Sequence, residues 1–286
     1  MRIGFAGIGL MGLPMCRRLL QAGHQLAVWN RSQAKTAPLA AAGATVYDSP
    51  QALAAHTDVV ILCLFDANAV AEVVFGKHGL VQAQKKTAIT VVDHSSIAPQ
   101  RTQALAKQLP AGWHWVDAPV SGGTAGAEAG TLAIMAGGAA EQVERIRPVL
   151  AAYAAQVTHM GAVGAGQVTK LCNQTIVTAT ITAIAEAMCL AQDANVEVAK
   201  LPEALAGGWA DSVLLQEFVK RMLHLPEQPT ATVQTMLKDL NTIAELAQTQ
   251  GTAMPVSHAV QQLYQIVQRQ GLGSQDVSHI IQTLKG

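Results

Sequence analysis

Charged side chains are scarce in this chain. They make up 13% of 286 residues, against roughly 25% in an ordinary soluble domain. An excess of either sign is missing altogether, because 19 Lys and Arg balance 19 Asp and Glu. The balance argues against a dedicated nucleic-acid binder, which carries a basic excess or stripe. Half the residues are hydrophobic, which argues against intrinsic disorder. Cysteine is sparse. Cys16, Cys63, Cys172 and Cys189 lie far apart, with no CxxC pair and no Cys/His ligand spacing. They read as small core residues in a reducing cytoplasm, where we expect the protein to reside. HExxH and clustered His, Asp or Glu ligands are also lacking, so no metal is expected.

Uninterrupted apolar runs of membrane length are lacking too. Ile3–Met15 resembles a secretion signal only superficially. Gly4, Gly7, Gly9 and Gly12 break it, and Arg17 and Arg18 follow without a small-residue cleavage site. Thr175–Asp193 is interrupted by Thr175, Thr178, Thr180, Thr182, Glu186 and Gln192. A helix buried in protein is expected there, not one facing lipid. Beyond a bias to Ala there is no repeat and no low-complexity segment.

What is present is an alternation. Strand-like runs at 2–6, 25–29, 58–64, 89–92 and 113–116 are separated by helix-like pieces near 11–22, 33–42, 68–75, 99–108 and 140–152. The run DVVILCL at 58–64 is continuously apolar, as for a strand covered on both faces. Such alternation predicts a parallel, doubly wound sheet with helices on both faces. Beyond Gly166 no strand is expected. Helices are predicted at 167–194, 201–205, 214–223, 232–250, 256–270 and 276–284, with Gly251, Pro255, Gly271 and Gly273 as punctuation. The expected architecture is α/β then all-α: a Rossmann-type domain over 1–162, then an all-helical domain over 163–286, joined by a long helix.

GFAGIGLMG places Gly7, Gly9 and Gly12 in a GxGxxG pattern directly after the first strand and at the start of the first helix. In that setting the first glycine permits a tight turn and the second lets a pyrophosphate approach the backbone. The third allows close strand–helix packing. The helix start, with Leu10 and Met11, supplies N–H groups and a positive dipole end. A dinucleotide site is therefore expected. The second strand ends in Trp29-Asn30-Arg31-Ser32, where an NAD-binding fingerprint carries an acid. A neutral amide, a guanidinium and a hydroxyl favour a 2′-phosphate instead, so NADP(H) is expected over NAD(H), with NAD still possible.

Three further segments bear chemistry. Ser121, Gly122 and Gly123 end a strand in a turn that offers a hydroxyl and bare N–H groups, suited to a carboxylate or simply to a structural turn. In GQVTKLCNQ, Gly166, Lys170 and Asn173 fall on one side of a helix. Gly166 leaves room there, Lys170 supplies an ammonium and Asn173 can orient it. Flanking Val168, Leu171 and Ile176 are expected to desolvate the lysine and lower its pKa, unless its stem simply snorkels along the surface. Lys238-Asp239, in MLKDLNTIAELA, reads by itself as an ordinary solvated pair.

Taken together, GFAGIGLMGLPM, DAPVSGGTAGAEAGTLAIMAGG, GAVGAGQVTKLCNQ and KDL resemble the β-hydroxyacid dehydrogenase family, which includes 3-hydroxyisobutyrate dehydrogenases and tartronate semialdehyde reductases. The resemblance spans almost the whole chain. It implies Lys170 as catalytic acid/base and Asn173, Ser121, Gly122 and Gly123 as substrate-holding. Lys238 is implied to close the site near cofactor and substrate. Ser95 or Ser96 is implied near the nicotinamide side, and the loop at Leu64 and Phe65 near the ribose and adenosine side. Two positions depart from the family's common pattern: Phe65 where Pro is frequent, and His94 where Met is frequent. His94 is thereby a second, weaker acid/base candidate.

The resemblance implies hydride transfer between NADP(H) and a small hydroxy acid or semialdehyde, with Lys170 moving the proton. A glyoxylate or succinic semialdehyde reductase of the same superfamily is the alternative, and a non-catalytic dinucleotide sensor is the alternative of another class. Lys170 weighs against imine reductases, and the short helical region weighs against 6-phosphogluconate dehydrogenases. Thr124, Trp209 and Ser212 are candidates for lining the pocket. The apolar helix at 175–191 needs more cover than one subunit provides, so a homodimer or homotetramer is expected. The expected partner is a small carboxylate-bearing substrate, with no nucleic acid and no membrane.

Overall fold

Ile3, Phe5, Val59 and Ile61 enter one hydrophobic cluster, whereas Ala6, Val60 and Leu62 enter another. Strands buried on both faces divide their side chains in this way, because successive residues point to opposite sides. The computed structural model describes residues 1–84 and 88–284. It contains two compact units, Met1–Lys170 and Leu171–Gly286.

The first unit runs through β1 (Ile3–Ala6), α1 (Gly12–Gln21), β2 (Leu26–Trp29), α2 (Ala37–Ala41), β3 (Thr45–Val46), α3 (Pro50–Ala55), β4 (Val59–Leu62) and α4 (Ala67–Phe75). It continues through β5 (Thr90–Asp93), α5 (Pro99–Ala106), β6 (His114–Asp117), β7 (Val120–Ser121), α6 (Gly123–Ala129), β8 (Leu132–Gly137), α7 (Ala140–Leu150) and β9 (Ala154–Gly161). The sheet order is β3-β2-β1-β4-β5-β6-β8-β7, with β9 also paired to β8. β1 to β6 are mutually parallel. Met15, Cys16 and Leu19 of α1 and Val143, Ile146 and Val149 of α7 cover one face. Leu53 of α3, Val70, Val73 and Val74 of α4 and Leu105 of α5 cover the other. This is the doubly wound, Rossmann-type sheet that the alternation predicts.

The sheet is not wholly parallel. β8 runs antiparallel to β6 and β7, and parallel to β9. None of β3, β7, β8 and β9 stands out in the sequence. β3 and β7 are two residues long, β8 is LAIMAG, and β9 is largely exposed with a polar, irregular sequence. α3 and α6 are equally unannounced. The helix expected at 33–42 divides into a 3-10 turn at Gln33–Thr36 followed by α2, whose first turn carries Pro38.

The second unit is helical. α8 (Ala165–Asp193) starts in the first unit and continues through the second. It is followed by α9 (Leu201–Leu205), α10 (Val213–Leu223), α11 (Val233–Gln250), α12 (Pro255–Val267) and α13 (Ile280–Leu284). Ser212 and Thr232 cap α10 and α11 by accepting from Leu215 and Thr235 N–H groups. Gly251 ends α11 in the left-handed conformation. Ile181, Ile184 and Met188 of α8 join Phe218, Leu240, Val260, Tyr264 and Ile280 in one core. The helix expected to reach residue 270 runs as α12 to Val267 and passes into a π-helical turn at Gln268–Leu272, where Gly271 at φ 85° breaks the helical path. α8 is long and apolar enough to cross a membrane by length and composition, yet 39% of its most apolar window is buried within the protein.

Candidate active site

The turn between β1 and α1 shows why three glycines are spaced as they are. Gly7 has φ +107°, and a Cβ there would lie 2.2 Å from the Cys63 carbonyl oxygen. A Cβ on Gly12 would lie 2.0 Å from the Gly7 carbonyl oxygen. Both glycines are therefore required by the protein's own packing. Gly9 differs. Among the described residues, nothing lies within 4 Å of its missing Cβ. The protein's own packing does not require glycine there, and the open space leaves room for a ligand to lie against the backbone. Leu10 is 72% exposed, and no side chain among the described residues caps the start of α1. The bare backbone cradle suits a dinucleotide pyrophosphate.

Asn30, just past β2, has a more local task than expected. Its Oδ1 accepts from the Ile8 N–H at 2.9 Å, and its Nδ2 donates to the Ser32 carbonyl at 2.8 Å. It braces the glycine turn, which leaves exposed Arg31 and Ser32 as the groups facing solvent there.

The loops after β4 and β5 are tied together. The Leu64 N–H donates to Ser95 Oγ at 3.0 Å, and the Ser95 N–H donates to Asp93 Oδ1 at 2.9 Å. Ser95 is buried, so its hydroxyl is a brace, while Ser96 is half-buried and Phe65 is 63% exposed. Burial pushes the Asp93 carboxyl up to about 7, opposed by hydrogen bonds from Ser95 and assisted by the charge of Asp117. His94 is buried, with Nδ1 on the Ala118 carbonyl and Nε2 on the Tyr153 hydroxyl. Burial pushes its pKa down to about 4. Both ring nitrogens are engaged in the core and the ring is neutral near pH 7, so the second acid/base candidate is a packing residue.

Asp117 ends β6 and holds the start of α8. Its Oδ1 accepts from Gly164 N–H at 2.7 Å and its Oδ2 from Gln167 N–H at 2.9 Å. A carboxylate at a helix N-terminus satisfies otherwise orphaned donors and meets the positive dipole end. Burial nevertheless raises the Asp117 carboxyl above its ordinary range. Gly166 sits against this anchor. A Cβ on it would lie 2.3 Å from the Met135 carbonyl oxygen. Gly166 therefore lets α8 approach β8, a packing role in place of the space beside Lys170 that the spacing suggested.

Lys170 is half-buried on α8, one turn beyond Gln167. Of the three apolar neighbours expected to desolvate it, only Leu171 is buried; Val168 is 38% and Ile176 67% exposed. Asn173 follows one turn later on the same helix. In the second unit its Nδ2 donates to Gln174 Oε1 at 2.9 Å, and Gln174 Nε2 donates to Asp239 Oδ2 at 2.7 Å. Lys238 Nζ lies 3.4 Å from Asp239 Oδ1. Asp239 is only 3% exposed, so Lys238-Asp239 is not the solvated pair that its sequence suggests. Ser212 is a helix cap, and Trp209 is fully exposed. Ser121 ends β7, and Gly122 and Gly123 turn the chain with φ +126° and +62°.

The family model for the NAD binding domain of 6-phosphogluconate dehydrogenase matches residues 2–161. The model for the NAD-binding region of NADP-dependent 3-hydroxyisobutyrate dehydrogenase matches residues 164–284. The chain belongs to the β-hydroxyacid dehydrogenase family. The 2-hydroxy-3-oxopropionate reductase of Escherichia coli is 34% identical over 286 residues, covering 100% of this chain and 97% of its own length. The NAD-dependent L-serine dehydrogenase of Pseudomonas aeruginosa is 35% identical, covering 99% of this chain and 97% of its own. The solved 3-hydroxyisobutyrate dehydrogenase of Salmonella typhimurium superposes with a TM-score of 0.89 at 27% identity, covering 99% of each chain. As a β-hydroxyacid dehydrogenase, the chain is an NAD(P)-binding oxidoreductase of the hydroxy-acid and semialdehyde kind.

Several residues that matter to this geometry carry no sequence signal. Gln167, Gln174 and Asp117 are buried polar groups whose partners lie on distant parts of the chain. Only the requirement that buried polar atoms be satisfied would have flagged them, and that requirement needs burial to be known.

Proposed function

We propose that the protein is an NADP(H)-dependent reductase or dehydrogenase that interconverts a small 3-hydroxy acid and its semialdehyde, with Lys170 as general acid/base. The observation that carries this reading is the hydrogen-bonded tie between the first turn of α8, which leads to Lys170, and the loops after β4 and β5. In a doubly wound sheet, ligands bind beyond the carboxyl ends of the strands, where those loops lie.

The dinucleotide, when bound, supplies or accepts the hydride. Gly7, Gly9, Leu10, Met11 and Gly12 would hold its pyrophosphate, Arg31 and Ser32 a 2′-phosphate, and Leu64, Phe65, Ser95 and Ser96 line its loops. Asn30 acts by bracing the glycine turn. In the reducing direction the Lys170 ammonium donates a hydrogen bond to the carbonyl oxygen and gives it a proton as the alcohol forms. In the oxidising direction it takes that proton back. Ser121, Gly122 and Gly123 grip the substrate carboxylate, and Asn173 and Lys238 complete the polar set. Fixing the carboxylate fixes the reacting carbon, which lowers the entropic part of the barrier.

We assign cofactor binding and the Ser121–Gly123 substrate contacts to residues 1–162, and the remaining substrate contacts and self-association to 163–286. Ile176 and Leu190 on α8 are 67% and 71% exposed. Fourteen positions apart, they fall on one side of the helix, and we assign that side to a homodimer or homotetramer interface.

A panel of tartronate semialdehyde, methylmalonate semialdehyde, glyoxylate, succinate semialdehyde and L-serine, each with both cofactors, tests the reading. Highest kcat/KM for tartronate or methylmalonate semialdehyde with NADPH is expected. Preference for glyoxylate or succinate semialdehyde would move the substrate assignment, and no turnover on the whole panel would contradict it.

A further inference from the structure

The side-chain amide of Gln167 reads a single peptide segment from both sides. Its Nε2 donates to the Ser95 carbonyl at 2.7 Å, and its Oε1 accepts from the Ile97 N–H at 3.3 Å. The two backbone groups flank Ser96, so the amide pairs with that stretch as a neighbouring strand would. Gln167 is 1% exposed, which makes both bonds necessary to offset the burial of an amide. Its backbone N–H is also engaged, donating to Asp117 Oδ2. Three pieces of chain therefore meet at one residue: the end of β6, the first turn of α8 and the loop after β5.

We infer that Gln167 is a positioning residue that sets the reach of Lys170 relative to the Ser95–Ile97 loop. The inference rests on the assignment of Lys170 as the acid/base. Lys170 follows Gln167 by three residues on a continuous helix, so a rotation or slide at Gln167 is transmitted to it without a joint. The other end of the clamp is equally stiff. Ser95 is fixed through its hydroxyl by the Leu64 N–H and through its own N–H by Asp93. The loops after β4 and β5 and the lysine-bearing helix thus form one hydrogen-bonded frame inside the first unit. A displacement on the order of 1 Å of a catalytic group costs about a hundredfold in rate. The clamp supplies the rigidity that such placement needs.

Gln167→Met keeps the side-chain volume and removes both bonds. We expect kcat to fall by at least about tenfold, with KM for the hydroxy acid within about threefold of wild type, the split expected when an interaction acts in the transition state and not in ground-state binding. Amide hydrogen exchange on the ligand-free full-length protein gives a readout that needs no turnover. In the wild type the Ile97 N–H should exchange at least about tenfold more slowly than in a free peptide, and in Gln167→Met it should lose most of that protection. Unprotected Ile97 in the wild type, an unchanged kcat in Gln167→Met, or a rise in KM alone would overturn the inference. Lys170→Ala, measured alongside, separates the two claims. Turnover surviving in Lys170→Ala overturns the acid/base assignment and this inference with it. An inactive Lys170→Ala beside a fully active Gln167→Met overturns the positioning role alone.

Discussion

Gln174 donates from Nε2 to Asp239 Oδ2 at 2.7 Å, although the two residues are 65 positions apart. Asp239 also holds the ammonium of Lys238 at 3.4 Å, and Gln174 receives the amide of Asn173. Asn173 and Lys238, both proposed substrate contacts, are thereby members of one buried network in the second unit. Asp239→Ala strips a carboxylate from a buried amide and a half-buried ammonium, and should cost about 2 kcal/mol of stability. Asp239→Asn, which keeps an acceptor for Gln174, should cost less. Urea denaturation midpoints measure both, and equal stabilities for the two variants would contradict the account.

The glycine turn predicts opposite behaviour at neighbouring positions. Gly7→Ala places a methyl 2.2 Å from a carbonyl oxygen at φ +107°, and should destabilise the protein by roughly 1–3 kcal/mol or more. Gly9→Ala meets nothing within 4 Å among the described residues. Its melting temperature should stay unchanged while its affinity for the dinucleotide drops. Calorimetric titration with each cofactor checks this, and unaltered affinity in Gly9→Ala would place the cofactor elsewhere.

Asn30 and Arg31 separate bracing from recognition. Arg31→Ala removes the exposed guanidinium, worth about tenfold or more in affinity for a phosphate dianion. Asn30→Asp keeps the acceptor for Ile8 but turns the bond to the Ser32 carbonyl into a repulsion. The double variant should shift the kcat/KM ratio of NADPH to NADH by at least about tenfold toward NADH. An unchanged ratio in steady-state kinetics would end the NADP(H) assignment.

His94 and Asp93 make stability depend on pH in opposite directions. Burial lowers His94 from 6.5 to about 4. Its contribution is complete above about pH 6.5 and is lost as pH falls toward 4, because the unfolded chain then binds the extra proton. Burial raises Asp93 from 3.8 to about 7. Its contribution is complete below about pH 4 and is lost as pH rises through 7. Relative to wild type, His94→Met should remove the His94 share of the pH dependence of stability between about pH 6.5 and 4 while leaving the pH profile of kcat unchanged. Thermal melts across that range test the first statement. A displaced kcat profile would return His94 to the chemistry.

The fold was legible wherever burial was symmetrical. β1, β2 and β4 are short apolar runs, and α10 and α11 carry their caps in the sequence. What escaped was the antiparallel extension around β8. β9 is an exposed, polar strand whose pairing with β8 contains register shifts, so no pattern of period two marks it. The glycine turn and the motif around Lys170 were visible as motifs. The packing of Gly166 and the bracing by Asn30 are invisible in the sequence, because each depends on a contact with a distant segment: Met135 and Asp117 for the glycine, Ile8 for the amide. Gln167 and Gln174 look like ordinary helix-surface residues until their burial is known.

The most direct test of the account is turnover by Lys170→Ala set beside its affinity for NADPH. The account predicts a fall in kcat of roughly a hundredfold to ten-thousandfold, the usual range for loss of a general acid/base, with the dissociation constant for NADPH within about threefold of wild type. Near-normal turnover would contradict it, and so would a loss explained entirely by weakened cofactor binding.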